Sequence, residues 1–139
     1  MFEKKLKHLE FIQGAITRMA SNSFALKGWS VVFVSGLFAL AAKDANVGFI
    51  YLAYFPAIAF WILDGFYLRQ EKLYRALYNS VCSRDEASID FTMDARPFED
   101  GADSWFKVTM STTLRLFHGT IIATILVVMV ICLIASAKK

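Results

Sequence analysis

Length, composition and charge already restrict what the chain can be. It has 139 residues, enough for one domain at most. Apolar residues make up 57% and charged residues 19%, whereas an average soluble chain is about 45–50% apolar and about 25% charged. The apolar excess favours a lipid environment, and a net charge of only +3 excludes the strongly basic composition of most nucleic-acid-binding proteins.

Residues 1–22 are predicted to form an amphipathic helix. Apolar side chains recur every three or four residues, which is the spacing of one helical face. They are Phe2, Leu6, Leu9, Ile12, Ile16 and Met19. Such a helix lies either on an anionic membrane surface or against a partner subunit, and the sequence leaves both alternatives open.

Residues 24–42 form the first run that is long enough to cross a membrane. As a helix its 19 residues span about 28 Å, close to the roughly 30 Å of a hydrocarbon core. Ser21, Asn22 and Ser23 precede the run as candidate N-caps. Lys27 is its only charge, and it lies near enough to the start to reach the headgroups.

The second span, residues 47–68, follows a polar turn so short that the first two spans must form an antiparallel hairpin. Pro56 lies near the middle of this span, where we expect a kink. No helix breaker follows the span, and apolar residues keep a helical spacing. We therefore expect the helix to continue to residue 81, in the aqueous phase.

Residues 82–104 differ in composition and are predicted to be a short acidic loop outside the membrane. Ile89, Phe91 and Met93 alternate with polar residues, which is a weak strand signal. Ser104 is then a candidate cap for an interfacial helix over residues 105–115. The third span is predicted over residues 116–137, so the fold class is an all-α membrane protein with three transmembrane helices.

The distribution of basic residues predicts the orientation. The N-terminal segment and the long connection between spans two and three lie on the same side, and together they carry twelve of the fifteen Lys and Arg residues. The positive-inside rule places that side in the cytoplasm. We therefore expect a multi-pass protein of the bacterial inner membrane with a cytoplasmic N-terminus.

Four ionisable residues lie at matching depth near the cytoplasmic ends of the spans. They are Lys27, Asp64, Arg115 and His118. A carboxylate inside lipid is costly and normally has a partner, so Asp64 is predicted to pair with Lys27 or with Arg115. The pair is either a salt bridge that fixes helix register or part of a gate or ion path.

Small residues also recur at helical spacing. One stripe lies in the first span and the other in the third: Gly28, Ser35, Ala39 and Ala42, then Gly119 and Ala123. Such stripes allow helix backbones to approach closely in lipid. The contact is either between helices of one chain or between subunits.

The sequence provides no pattern for catalysis or for a cofactor. The two cysteines, Cys82 and Cys132, are far apart in sequence and lack the C-x-x-C spacing of metal sites. The acidic loop does not match an EF-hand, and no G-x-S-x-G or H-E-x-x-H motif occurs. We therefore expect no enzymatic activity, no metal site and no cofactor.

Two stretches resemble a group of small bacterial membrane proteins. The first runs from FALKGW to LYNSV and contains an F-W-x-L-D-x-x-x-L-x-x-E pattern; the second is SWFKVTMSTTLRLFHG. Here the pattern is carried by Phe60, Trp61, Leu63, Asp64, Leu68 and Glu71. In layout the chain is similar to transmembrane effectors of bacterial antiviral signalling, including the SLATT type, although it has three spans and no attached sensor domain.

The resemblance implies an effector that assembles as a homo-oligomer and disrupts the membrane when a cytosolic signalling partner activates it. The alternative is a non-conducting anchor or scaffold that docks a soluble protein. A transporter subunit ranks last, because transporters usually show internal repeats and interrupted helices. In each case the bilayer is a partner and no nucleic acid is expected.

Overall fold

The computed structural model describes residues 3–138, so the predictions that involve Met1, Phe2 and Lys139 lie outside the described residues. The described chain is helical and contains no β-strand. Its α-helices, in chain order, are α1 (Glu3–Asp44), α2 (Gly48–Leu52), α3 (Tyr54–Cys82), α4 (Trp105–Thr109) and α5 (Thr112–Ala137).

Three helical segments are long and apolar enough to cross a membrane. They are α1, the nearly continuous pair α2–α3 from Gly48 to Cys82, and α5. These segments contain the three spans predicted from the sequence, except for Val47, which precedes the second segment. They meet in a core built around Val34, Ile50, Ala53, Ala57 and Ile125.

The predicted boundary between an amphipathic helix and the first span is wrong. α1 is one helix of 42 residues that passes through Ser21, Asn22 and Ser23 without interruption. Ser23 is buried and uses its hydroxyl to bind Asp64 instead of capping a helix. At 1.5 Å per residue α1 is about 63 Å long, roughly twice the thickness of a hydrocarbon core.

At the position where Pro56 predicts a kink, the helix assignment is interrupted for one residue, Ala53, whose backbone angles remain helical. α2 ends at Leu52 and α3 begins at Tyr54. Proline has no N–H to donate, and its ring crowds the carbonyl four residues earlier, which is that of Leu52. Ala53 still donates to the Phe49 carbonyl at 3.2 Å, so the chain remains nearly helical from Gly48 to Cys82.

The N-terminal part of α1 packs along the C-terminal part of α3. We call these two segments, residues 3–22 and 69–82, the stalk. Ile12 and Ile16 are buried against Leu77 and Val81. The middle of the apolar stripe, at Ile12 and Ile16, is therefore covered by the same chain, whereas Leu6 is exposed. Neither sequence-based alternative anticipated this arrangement.

The strand signal in the acidic loop is also wrong. The segment contains two short 3-10 turns, Glu86–Ser88 and Arg96–Phe98, joined by irregular backbone. No other strand is present in the described chain to pair with it. Its apolar side chains pack on the stalk core instead: Ile89, Met93 and Phe98. The loop thus covers one side of the stalk.

The predicted interfacial helix over residues 105–115 is divided in two. Ser104 caps α4 as expected, because its side chain accepts a hydrogen bond from the Lys107 N–H at 3.3 Å. α4 ends at Thr109, and Ser111 then adopts the extended conformation of an N-cap residue. α5 consequently begins at Thr112, four residues before the predicted start of the third span.

Candidate functional site

A buried carboxylate joins the three membrane-length helices. The side chain of Asp64, on α3, is fully buried. Its Oδ2 atom accepts hydrogen bonds from Lys27 Nζ of α1 at 2.6 Å and from His118 Nε2 of α5 at 2.8 Å. Its Oδ1 atom accepts a hydrogen bond from the Ser23 hydroxyl of α1. We call Ser23, Lys27, Asp64 and His118 the Asp64 cluster.

The helical spacing of α1 explains how one helix supplies two of these ligands. Ser23 and Lys27 are four residues apart and therefore lie on the same face, one turn from each other. That face is directed at α3, since Ser30 and Val34 on it are buried as well. Lys27 Nζ also donates to Ser23 Oγ at 2.9 Å, so Ser23 bridges the cation and the carboxylate.

Aromatic packing fixes the position of His118. The indole ring of Trp61 stacks on the imidazole with the ring centroids 5.8 Å apart and the planes at 10°. Trp61 Nε1 in turn donates to the Thr109 carbonyl at 2.9 Å, and Phe117 meets the imidazole edge-on. His118 therefore presents Nε2 to the Asp64 carboxylate, which also pairs with Lys27.

A close helix–helix approach lies next to the cluster. Gly65 follows Asp64 and faces Thr109 of α4. A Cβ atom added at Gly65 would lie 2.1 Å from Thr109 Oγ1 and 3.2 Å from Thr109 Cα. Only glycine therefore permits α4 to pack here, and α4 in turn supplies the carbonyl that orients Trp61.

The Asp64 carboxylate is saturated by donors from its own chain. Among residues 3–138, no group of three or more His, Cys, Asp and Glu side chains is arranged to hold a metal ion. No protein-family model, curated protein or solved structure matches the chain.

The structure brings together three of the four ionisable residues selected from the sequence. The predicted pair of Lys27 and Asp64 is present, and His118 joins it. Arg115 is exposed in the first turn of α5 and does not contact the cluster, so the alternative pairing of Asp64 with Arg115 is wrong. Trp61 was singled out only as part of the F-W-x-L-D-x-x-x-L-x-x-E pattern, and its spacing gave no signal of the contact with His118.

The small residues of α1 do not pack inside the chain. All four are exposed in the described structure: Gly28, Ser35, Ala39 and Ala42. In α5, Gly119 is partly buried and Ala123 is exposed. A Cβ atom added at Gly28 or Gly119 would meet no other atom within 4 Å. The described residues therefore show no close helix approach at Gly28 or Gly119, and contact between subunits stays a prediction.

Proposed function

We propose that the protein is an inner-membrane effector of bacterial antiphage defence that assembles as a homo-oligomer and permeabilises the membrane. The observation that carries this proposal is the exposed stripe of small residues on α1. In lipid, such stripes allow helices to approach closely and to associate through backbone contacts. No described residue of the same chain covers the stripe.

Permeabilisation requires several copies of the chain. The apolar core around Val34, Ala57 and Ile125 and the fully buried side chain of Asp64 lie between the three spans. A single subunit therefore offers no water-filled path across a bilayer. An oligomer that forms along α1 would place any path between subunits, outside the cluster.

The stalk supports the cytosolic activation that the resemblance implies. It extends α1 and α3 well past the membrane-length runs, and it belongs to the side with most of the basic residues. Helices that continue from water into lipid can transmit the binding of a soluble partner to the spans.

Inducible expression in a bacterial host tests the proposal. We expect growth arrest together with loss of membrane potential, followed with a potential-sensitive dye. Gly28→Leu should abolish both effects, since the larger side chain blocks close approach at the stripe. Gly36→Leu is the matched control, because Gly36 is also an exposed glycine of α1 with no atom near its added Cβ but lies off the stripe. Full membrane potential with the unmodified protein, or equal effects of the two variants, would contradict the proposal.

The alternative function is a non-conducting anchor or scaffold for a cytosolic partner. The stalk favours it, because a two-helix hairpin covered on one side by a loop is suited to docking a protein. Purification in mild detergent separates the two functions. A homo-oligomer supports the effector, whereas a monomer that co-purifies with one soluble protein at constant ratio supports the anchor.

A further inference from the structure

α5 is attached to the rest of the chain through few contacts. Its buried residues are Leu114, His118 and Ile125. The side-chain hydroxyls of Thr120, Thr124 and Ser136 bond to carbonyls of α5 itself. Within residues 3–138, the bond from His118 to Asp64 is therefore the one side-chain hydrogen bond that joins α5 to another helix. The remaining attachment is apolar packing.

That single bond depends on the relative position of α1 and α3. Lys27 Nζ and His118 Nε2 share the same oxygen of Asp64, and Ser23 holds the other oxygen. A shift of α1 along α3 would change the orientation of the carboxylate. Hydrogen bonds weaken steeply with distance and angle, so such a shift would also weaken the bond to His118.

Both helices connect the cluster to the stalk without a break. On α1, eleven residues separate Ile16 of the stalk core from Lys27, which is about 17 Å along the helix. On α3, thirteen residues separate Asp64 from Leu77, which is about 20 Å. A movement between the stalk helices is thereby transmitted to the cluster as a rigid displacement.

We propose that the Asp64 cluster is a latch that holds α5 against the α1–α3 hairpin, and that displacement of the stalk helices releases α5. The device belongs to a single chain and goes beyond the proposed function. It is measured through the position of α5, independently of whether the membrane becomes permeable.

Cys132 provides the readout. This residue of α5 is partly buried and has a free thiol. It lines a cavity of about 310 Å³ between α1, the start of the second span and α5, together with Phe38 and Val47. Release of α5 would expose the thiol. The other cysteine, Cys82, is exposed and is replaced by serine in all variants. The rate of alkylation by N-ethylmaleimide is then measured on the full chain in detergent micelles.

Two substitutions of His118 separate the hydrogen bond from packing. His118→Phe retains an aromatic ring against Trp61 but cannot donate to Asp64, whereas His118→Gln retains a donor. We expect His118→Phe to raise the alkylation rate by about tenfold or more, as for the loss of a hydrogen bond to a charged group. His118→Gln should leave the rate unchanged. Equal rates for His118→Phe and the parent would overturn the latch.

Truncations in the stalk test the coupling. Leu77→Ala loosens the stalk core, in which Leu77 is 1% exposed, and we expect faster alkylation of Cys132. Leu6→Ala is the control, because Leu6 is 59% exposed on α1. Variants are compared at equal helical content by circular dichroism, and the smaller truncation Val81→Ala is used if Leu77→Ala loses helix. If Cys132 is alkylated at the parent rate in the stalk variants but faster in His118→Phe, the proposal is overturned.

Discussion

Asp64 is stabilised by three side chains from two other helices, and its burial is tolerated only because of these partners. An isolated carboxylate in a low-dielectric interior is strongly unfavourable, whereas a carboxylate with three donors is tolerated. Ser23 and Lys27 come from α1 and His118 from α5. Removal of any partner therefore leaves polar groups buried without compensation.

Replacing Asp64 alone should lower the free energy of unfolding more than replacing both Asp64 and Lys27. We expect Asp64→Asn to lower the free energy of unfolding by about 3 kcal/mol, because Lys27 keeps an uncompensated charge. The double variant Asp64→Asn/Lys27→Met should lose less than the single variant. Unfolding by sodium dodecyl sulfate in mixed micelles measures both.

Asp103→Asn is the control for this comparison. Its carboxylate is 39% exposed and pairs with exposed lysines, and such pairs contribute about 1 kcal/mol or less. A loss in Asp64→Asn no larger than that in Asp103→Asn would show that the cluster does not stabilise the fold.

Asp94 in the loop provides a pH-dependent contact outside the spans. The Arg96 guanidinium donates to its carboxylate at 2.9 and 2.8 Å, and the Arg96 N–H donates at 3.0 Å. Mainly through the side-chain hydrogen bonds, Arg96 lowers the pKa of Asp94 from 3.8 to about 2. As the pH falls, Asp94 takes up its proton at a higher pH in the unfolded chain than in the folded chain. The contact therefore stabilises the folded loop at pH values above 3.8, the ordinary pKa of Asp94. This contribution is lost as the pH falls through about 2.

A carbon-13 NMR titration of the Asp94 carboxyl group measures this shift. Arg96→Gln should return the pKa of Asp94 toward its ordinary value, since the charged donor is removed. A titration midpoint of Asp94 that is the same with and without Arg96 would contradict the assigned contact.

Part of the Asp64 cluster could be predicted from the sequence. Lys27 and Asp64 lie at equal depth in spans that a short turn forces to be antiparallel, which made their pair one of the two alternatives that the sequence allowed. Ser23 was missed because a serine before an apolar run has the pattern of an N-cap. Arg115 was included wrongly, because the start of α5 and hence the direction of its first turn were not known.

At the scale of elements, periodicity identified the helices but not their partners. A stripe of apolar residues on residues 1–22 shows that one face is buried, yet it does not specify what buries it. The matching face of the α3 extension, with Leu73, Leu77 and Val81, was visible in the sequence. Its pairing with α1 follows only when α1 is known to be continuous through Ser23.

The close contact between α4 and α3 at Gly65 predicts how substitutions there change the stability of the fold. Gly65→Ala should lower the free energy of unfolding by about 1–3 kcal/mol, as expected for overpacking, because its Cβ would clash with Thr109. Gly28→Ala should change it by less than about 1 kcal/mol, because no atom lies within 4 Å of the added Cβ. Equal losses in the two variants, measured in mixed micelles, would contradict the described contact.

At the scale of the whole molecule, the chain combines a core of three helices that are long and apolar enough to cross a membrane with a two-helix stalk. The apolar runs determine the core, and the distribution of Lys and Arg predicts its orientation. The stalk places the end of α3 far from the core, since α3 continues to Cys82. Function cannot be read at this scale from the sequence alone, because helical membrane architectures serve many activities.

Labelling of Cys82 tests the proposed topology most directly, in which the protein lies in the inner membrane with its stalk in the cytoplasm. In a Cys132→Ser variant, Cys82 is the one remaining thiol, and it is exposed at the end of the stalk. A membrane-impermeant maleimide should label it in inside-out vesicles and not in intact spheroplasts. Labelling in intact spheroplasts, or recovery of the protein from the soluble fraction without detergent, would contradict the account.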